Sequence, residues 1–174
     1  MIISGCIKNN RKAQELLYKK FFHAAAALCT RYIDEEQDAM EVVNDGFLKV
    51  FKHIHVYDSR RSTLYTWIRK IMINTAINFL QKKQIIFTGN PQFAQDEALT
   101  ENDSLLKLDA EDLLNLIKRL PAATQLVFNL YTIEGFSHRE IAGMLGISEG
   151  TSRWHLSDAR KKLKQSVLQL KKST

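Results

Sequence analysis

Apolar residues recur at intervals of three and four along almost the whole chain, and no stretch shows the period of two that a half-buried strand requires. The spacing predicts a helix over 12–33, with Leu16, Leu17, Phe21 and Leu28 facing inward. A second, over 35–53, carries Val42, Val43, Phe47, Val50 and Phe51, and a third, over 63–83, carries Leu64, Trp67, Ile68, Ile71 and Leu80. Residues 84–108 lose the period and hold Thr88-Gly89-Asn90-Pro91 among scattered acids, the pattern of a linker. Periodicity then resumes behind Asp109, a good N-cap, in a helix to Arg119. Pro121 suits the first position of a further helix, which Gly135 ends. Ser137 and Glu140 have the spacing of a capping box opening a short helix, Gly146-Ile147 makes a turn, and Ser148 caps a final long helix. The expected fold is all-α: two small helical domains, 1–83 and 109–174, joined by a linker over 84–108.

Composition narrows the function more than the fold. With 45% hydrophobic residues the chain has enough apolar surface for packed cores, and only seven Gly and two Pro fit long helices better than a turn-rich sandwich. Cys6 and Cys29 lie far apart and match no metal spacing, which favours a reducing compartment over a disulfide framework. No apolar run has the length of a membrane span and no signal-peptide core opens the chain, so the expectation is a cytoplasmic protein without membrane insertion. The net charge of +6 suggests a polyanionic partner, and its distribution sharpens the suggestion. The charged residues of 34–45 are all acidic. Those of 49–83 are basic apart from Asp58, those of 96–112 are acidic apart from Lys107, and the C-terminal stretch is basic again.

The segment 137–164 has the construction of a helix-turn-helix. Ile141, Ala142 and Leu145 share one face of the short capped helix, and Leu156, Ala159 and Leu163 take inward spacing on the longer basic one. Placed in a major groove, the second helix offers Glu149, Thr151, Arg153, Trp154, His155 and Ser157 near its start. Arg153 suits guanine or phosphate, and Thr151 suits phosphate. Asp158, on the same helix, should repel the DNA backbone. An ordinary helical hairpin with solvated charges is the plainer alternative.

The third helix carries a different surface. Trp67, Lys70, Asn74, Asn78 and Gln81 fall along one stripe, mostly amide, with an indole and a cation at its start. Amides bond base edges, rings stack on unpaired bases, and cations hold the backbone, a set suited to single-stranded DNA. Trp67 serves equally as a core residue. Gly46 sits inside the second helix, where it costs about 1 kcal/mol relative to Ala, and hints at a close approach. The acidic face of that helix fits a basic partner helix, or is simply solvated.

At this point a resemblance becomes specific. Leu120-Pro121, Glu134-Gly135, Ser137, Glu140-Ile141-Ala142, Leu145 to Thr151 and Ala159 to Leu163 look like the last domain of extracytoplasmic-function sigma factors of the sigma-70 family. Asp38-Ala39, Val42-Val43, Asp45-Gly46-Phe47 and Lys49-Val50-Phe51, followed by Leu64 to Ile71 with Asn74 and Asn78, are similar to the family's other domain. The style is similar to sigma factors of Bacteroidetes. The resemblance implies a non-enzymatic subunit that directs RNA polymerase to promoters, with no cofactor and no metal. Its implied partners are core RNA polymerase, promoter DNA and an anti-sigma factor.

The resemblance also implies roles residue by residue. Ser148, Glu149, Thr151, Arg153, Trp154, His155, Ser157 and Arg160 would read the minus-thirty-five element. Arg60, Arg61, Tyr65, Trp67, Arg69, Lys70, Asn74 and Asn78 would open and hold the minus-ten element. Asp38, Glu41, Val42, Asp45, Phe47, Lys49 and Val50 would dock on the polymerase. Asn78 departs from the family, where many relatives carry Asp. The main rival is a stand-alone helix-turn-helix regulator with an N-terminal interaction domain, which predicts a palindromic site and tight duplex binding without polymerase.

Overall fold

The computed structural model describes residues 2–83 and 110–172, and among them every regular element is helical. The chain divides into two compact units, Met1–Lys83 and Gln84–Thr174. The linker expected over 84–108 and the Asp109 cap lie outside the described residues. No helix among those described is long and apolar enough to cross a membrane.

In the first unit α1 (Ile2–Ile7) turns back onto α2 (Arg11–Cys29), a helix that opens with the Asn10 side chain accepting from the Ala13 amide at 3.1 Å. At six residues α1 is too short to declare a period in the sequence, and it buries Cys6 completely. A third helix, α3 (Glu36–His53), runs into a 3-10 turn (Ile54–Val56), and α4 (Leu64–Lys82) opens on Thr63, whose hydroxyl accepts from the Thr66 amide at 3.1 Å. The core gathers Leu17 and Leu28 of α2, Val42, Val43, Phe47 and Val50 of α3, and Ile68, Met72, Ile73 and Ile77 of α4. Leu16 was expected inside and is 56% exposed, because Leu17 takes the inward position and the neighbouring residue points a third of a turn away.

At Gly46 α3 packs tightly against Met72 of α4. A β-carbon built there would collide with the Met72 sulfur and stand 3.0 Å from its Cε. Since Met72 is itself fully buried, its thioether has little room to retreat.

In the second unit α5 (Ala110–Lys118) precedes Pro121, and α6 (Ala122–Phe128) continues through a wide π turn (Asn129–Ile133) before Gly135 ends it with φ +78°. Then come α7 (His138–Leu145) and α8 (Glu149–Lys172). The core of this unit buries Ile141 and Leu145 of α7, Leu156, Ala159 and Leu163 of α8, and Leu126, Val127 and Leu130 of the preceding segment, with α8 packed against both α6 and α7.

Candidate nucleic-acid interface

The helix-turn-helix is built by local chemistry. Ser137 and Glu140 form the capping box in full: the Ser137 amide donates to the Glu140 carboxylate at 2.9 Å, and the Glu140 amide donates to the Ser137 hydroxyl at 3.3 Å. At the other end of α7 Gly146 adopts φ +69°, a left-handed turn in which its amide donates to the Ala142 carbonyl at 2.9 Å. Ser148 then caps α8, accepting from the Thr151 amide at 2.9 Å. Two capped helices with a fixed turn between them leave the start of α8 little freedom.

Its side chains divide sharply. Thr151, Ser152, His155, Leu156, Ala159 and Leu163 are buried against α6 and α7, while Glu149, Gly150, Arg153, Arg160, Lys161 and Lys164 are exposed. Trp154 and Ser157 are half-buried at the margin. Arg153, Ser157, Arg160 and Lys164 therefore form one outward stripe at spacings of three and four. Arg153 is held by Glu149, its guanidinium 3.2 Å from the carboxylate.

This geometry corrects three expectations. Thr151 is only 6% exposed, and its hydroxyl lies 2.9 Å from that of Ser148, so it braces the turn and does not face a groove. His155 is equally buried: its Nδ1 is 3.0 Å from the Thr124 hydroxyl of α6, which also donates to Asp158 at 3.2 Å. Asp158, expected to repel DNA, is thus turned toward α6 and paired with Lys162. For His155 and Asp158 the packing of α6 beside α8, a contact between residues some thirty positions apart, fixes the side chain, whereas Thr151 is held locally by Ser148.

Burial pushes the His155 imidazole below its ordinary range, with Asp158 partly offsetting the effect and Lys162 adding to it. At His138 burial acts in the same direction, reinforced by the charges of Arg153 and Arg160 and opposed by Glu149.

In the first unit the amide stripe stands as the spacing requires. Lys70, Asn74, Asn78 and Gln81 are exposed along one side of α4, with Trp67 half-buried at its head against Tyr57, ring centroids 5.5 Å apart. Tyr57 is fixed in turn by its hydroxyl, which donates to the Ser62 carbonyl at 3.0 Å. Arg60 and Arg61 lie in the preceding loop with side chains 89% and 88% exposed, both oriented by Asp58, whose carboxyl is held below its usual range chiefly by the Arg60 hydrogen bond.

Tyr65 and Arg69 are not part of this surface. They project from the other side of α4 and line a shallow groove with Phe21, Ala24 and Leu28 of α2. Tyr65 and Arg69 each stand two positions from Trp67, a spacing that places side chains on different helix faces, so the signal was present in the sequence.

The acidic helix also needs correction. Val42, Phe47 and Val50 are buried to within 2% in the unit's own core and cannot meet a partner. Lys49 donates to the Thr75 hydroxyl at 3.1 Å, and Asp38 pairs with Lys83 at 2.6 Å. What α3 presents outward is Glu41, Asn44, Asp45, Leu48 and Lys52, with Leu48 66% exposed. The sequence reading missed Leu48. An apolar residue one step off the core period in an acidic stripe is the mark it left.

Comparison with known proteins follows the same division. The family model for sigma-70 region 2 matches residues 17–85, and that for sigma-70 region 4 matches residues 110–163. The sequence is similar to an extracytoplasmic-function RNA polymerase sigma-E factor of Haemophilus influenzae, 26% identical over 92% of this chain and 90% of the relative. The protein of the same description from Escherichia coli K12 is 29% identical, covering 96% of this chain and 93% of its own. In fold the chain is similar to the sigma factor RpoE of Bartonella quintana, solved with the anti-sigma factor NepR. That match has 21% identity, covers 89% of this chain and 96% of that one, and has a TM-score of 0.54.

Proposed function

The chain belongs to the sigma-70 family, as an RNA polymerase sigma factor of the extracytoplasmic-function group, and on that premise we propose how its residues divide the work of promoter recognition. The second unit grips the upstream element as duplex, with Arg153, Ser157 and Arg160 directed at the groove and Lys161 and Lys164 at phosphates. The first unit holds the downstream element after it separates. Asn74 and Asn78 bond base edges, Trp67 and Tyr57 offer a ring surface for a displaced base, and Lys70, Arg60 and Arg61 hold the backbone.

Core polymerase docks on the outward face of α3, where Glu41 and Asp45 flank Leu48. Acidic groups around one exposed aliphatic side chain suit a basic partner with an apolar pocket: charge speeds encounter, and burial of the leucine slows release. An anti-sigma factor is the further partner that this family membership suggests. The proposed role is one of binding and positioning, without covalent chemistry.

The observation that carries this reading is the exposed stripe of Asn74, Asn78 and Gln81 on α4. A regulator that only binds duplex has no use for a polar stripe of that kind on a separate unit. The test adds purified protein to core polymerase and sequences the transcripts started from a random promoter library. Initiation at a two-part consensus supports the reading. Tight binding to symmetric duplex, without specific transcripts, would replace it with the stand-alone regulator.

A further inference from the structure

His138 was assigned no role by the sequence, and it sits at the edge of the cationic stripe of α8. It is the first residue of α7, half-buried, with its ring stacked on Tyr131 at 4.5 Å and 22° between planes. Nδ1 is 2.9 Å from the hydroxyl of Ser152, a side chain with no exposure at all. The imidazole is therefore fixed both by its face and by one nitrogen. Among the described residues the one hydrogen bond of the ring is made by Nδ1, and the residue is only partly buried, which leaves Nε2 for an outside partner. Tyr131 remains 36% exposed beside it, and Arg139 of α7 and Arg153 and Arg160 of α8 are exposed around it.

We propose that His138 is a DNA-backbone contact of the helix-turn-helix, its imidazole held by Tyr131 and Ser152 so that Nε2–H donates to a phosphate. The inference rests on the reading that the second unit binds duplex.

Charge makes the contact conditional on pH. In the free protein the groups facing the ring are Arg153 and Arg160, which disfavour its protonation, and Glu149, which favours it. Arg139 and Glu140 stand on its own helix, and Tyr131 and Glu134 belong to the segment packed beneath. A phosphate bound among the arginines cancels part of their field and adds an acceptor, so the imidazolium becomes the favoured form. DNA binding then takes up a proton, and affinity rises as the pH falls toward 6.

The experiment uses the full-length protein and a fluorescent 30-base-pair duplex of random sequence, because a phosphate contact is indifferent to sequence. Affinity is measured against salt at pH 8 and pH 6, with thermal melting at both to confirm folding. For the natural protein the slope of log affinity against log salt should steepen by as much as about 0.9 at pH 6, the value of one additional neutralised phosphate. His138→Gln should remove most of that steepening, and His138→Arg should hold the steep slope at both pH values. Arg153→Ala separates the two claims. If it weakens binding while His138→Gln retains the full pH dependence, His138 does not touch the backbone. If the natural protein shows no salt-dependent duplex binding at all, the reading of the second unit fails first.

Discussion

Gly46 shows how a single missing side chain sets a helix crossing. Alanine there would gain up to about 1 kcal/mol of helix propensity, yet its methyl group must displace the buried Met72 thioether, and overpacking of this kind costs about 1–3 kcal/mol. The clash outweighs the gain, so Gly46→Ala should lower stability, by up to about 2 kcal/mol in denaturant unfolding; an increase would show that Met72 yields freely. Cys29, fully buried at the far end of α2, has its thiol pushed up to about 12 by burial. It should resist alkylation at pH 8 in the folded protein and react within minutes in denaturant, a difference readable by mass spectrometry. Surface residues behave in the opposite way. Asn74→Ala and Asn78→Ala should change stability by less than about 0.5 kcal/mol, while open-complex formation on a promoter falls severalfold. A loss of stability instead would return both amides to a structural role.

At the scale of elements, most helix limits were legible, although α2 ends at Cys29 and not at the expected Ile33, and helix rotation was less so. Thr63, Ser137 and Ser148 announce where α4, α7 and α8 begin because each satisfies an amide a few residues away, and Gly146 and Gly135 mark ends because the chain needs positive φ there. Those are local requirements, written locally. The placement of His155 and Asp158 depends on Thr124 of α6 lying beside α8, and no spacing within α8 alone reveals that neighbour. Apolar periodicity likewise could not separate a face that packs internally from one that receives a partner, and Val42, Phe47 and Val50 were misassigned for that reason.

The burial of His155 has a consequence for this element. Its folded-state affinity for protons is depressed below the ordinary value of 6.5, so below that pH the unfolded chain binds more protons than the folded one. The second unit should therefore be most stable above pH 6.5 and lose stability as the pH falls through the window below it. His155→Gln, melted at pH 7.5 and pH 5.5, should show a smaller decrease than the natural protein. An equal decrease would place the sensitivity elsewhere, His138 being the next candidate.

For the whole molecule, the order of a region 2 unit followed by a region 4 unit was legible in the sequence, since each rests on a contiguous run of residues. The proposed docking face was less legible, because the exposure of Leu48 is defined only once α3 has buried its other side. Leu48→Asp removes that anchor without touching the core. It should reduce competition for core polymerase about tenfold or more, the scale of a central interface residue, while melting temperature and duplex binding stay unchanged. Unaltered competition would move the docking site off α3.

The division of α8 into a packed side and an outward side reaches beyond one molecule. Leu156, Ala159 and Leu163 hold the helix in place, whereas positions 153, 157 and 160 contribute little to that hold. On the proposed reading, descendants of a duplicated gene would vary the outward positions and answer at different genes, while the packed side keeps the helix in place.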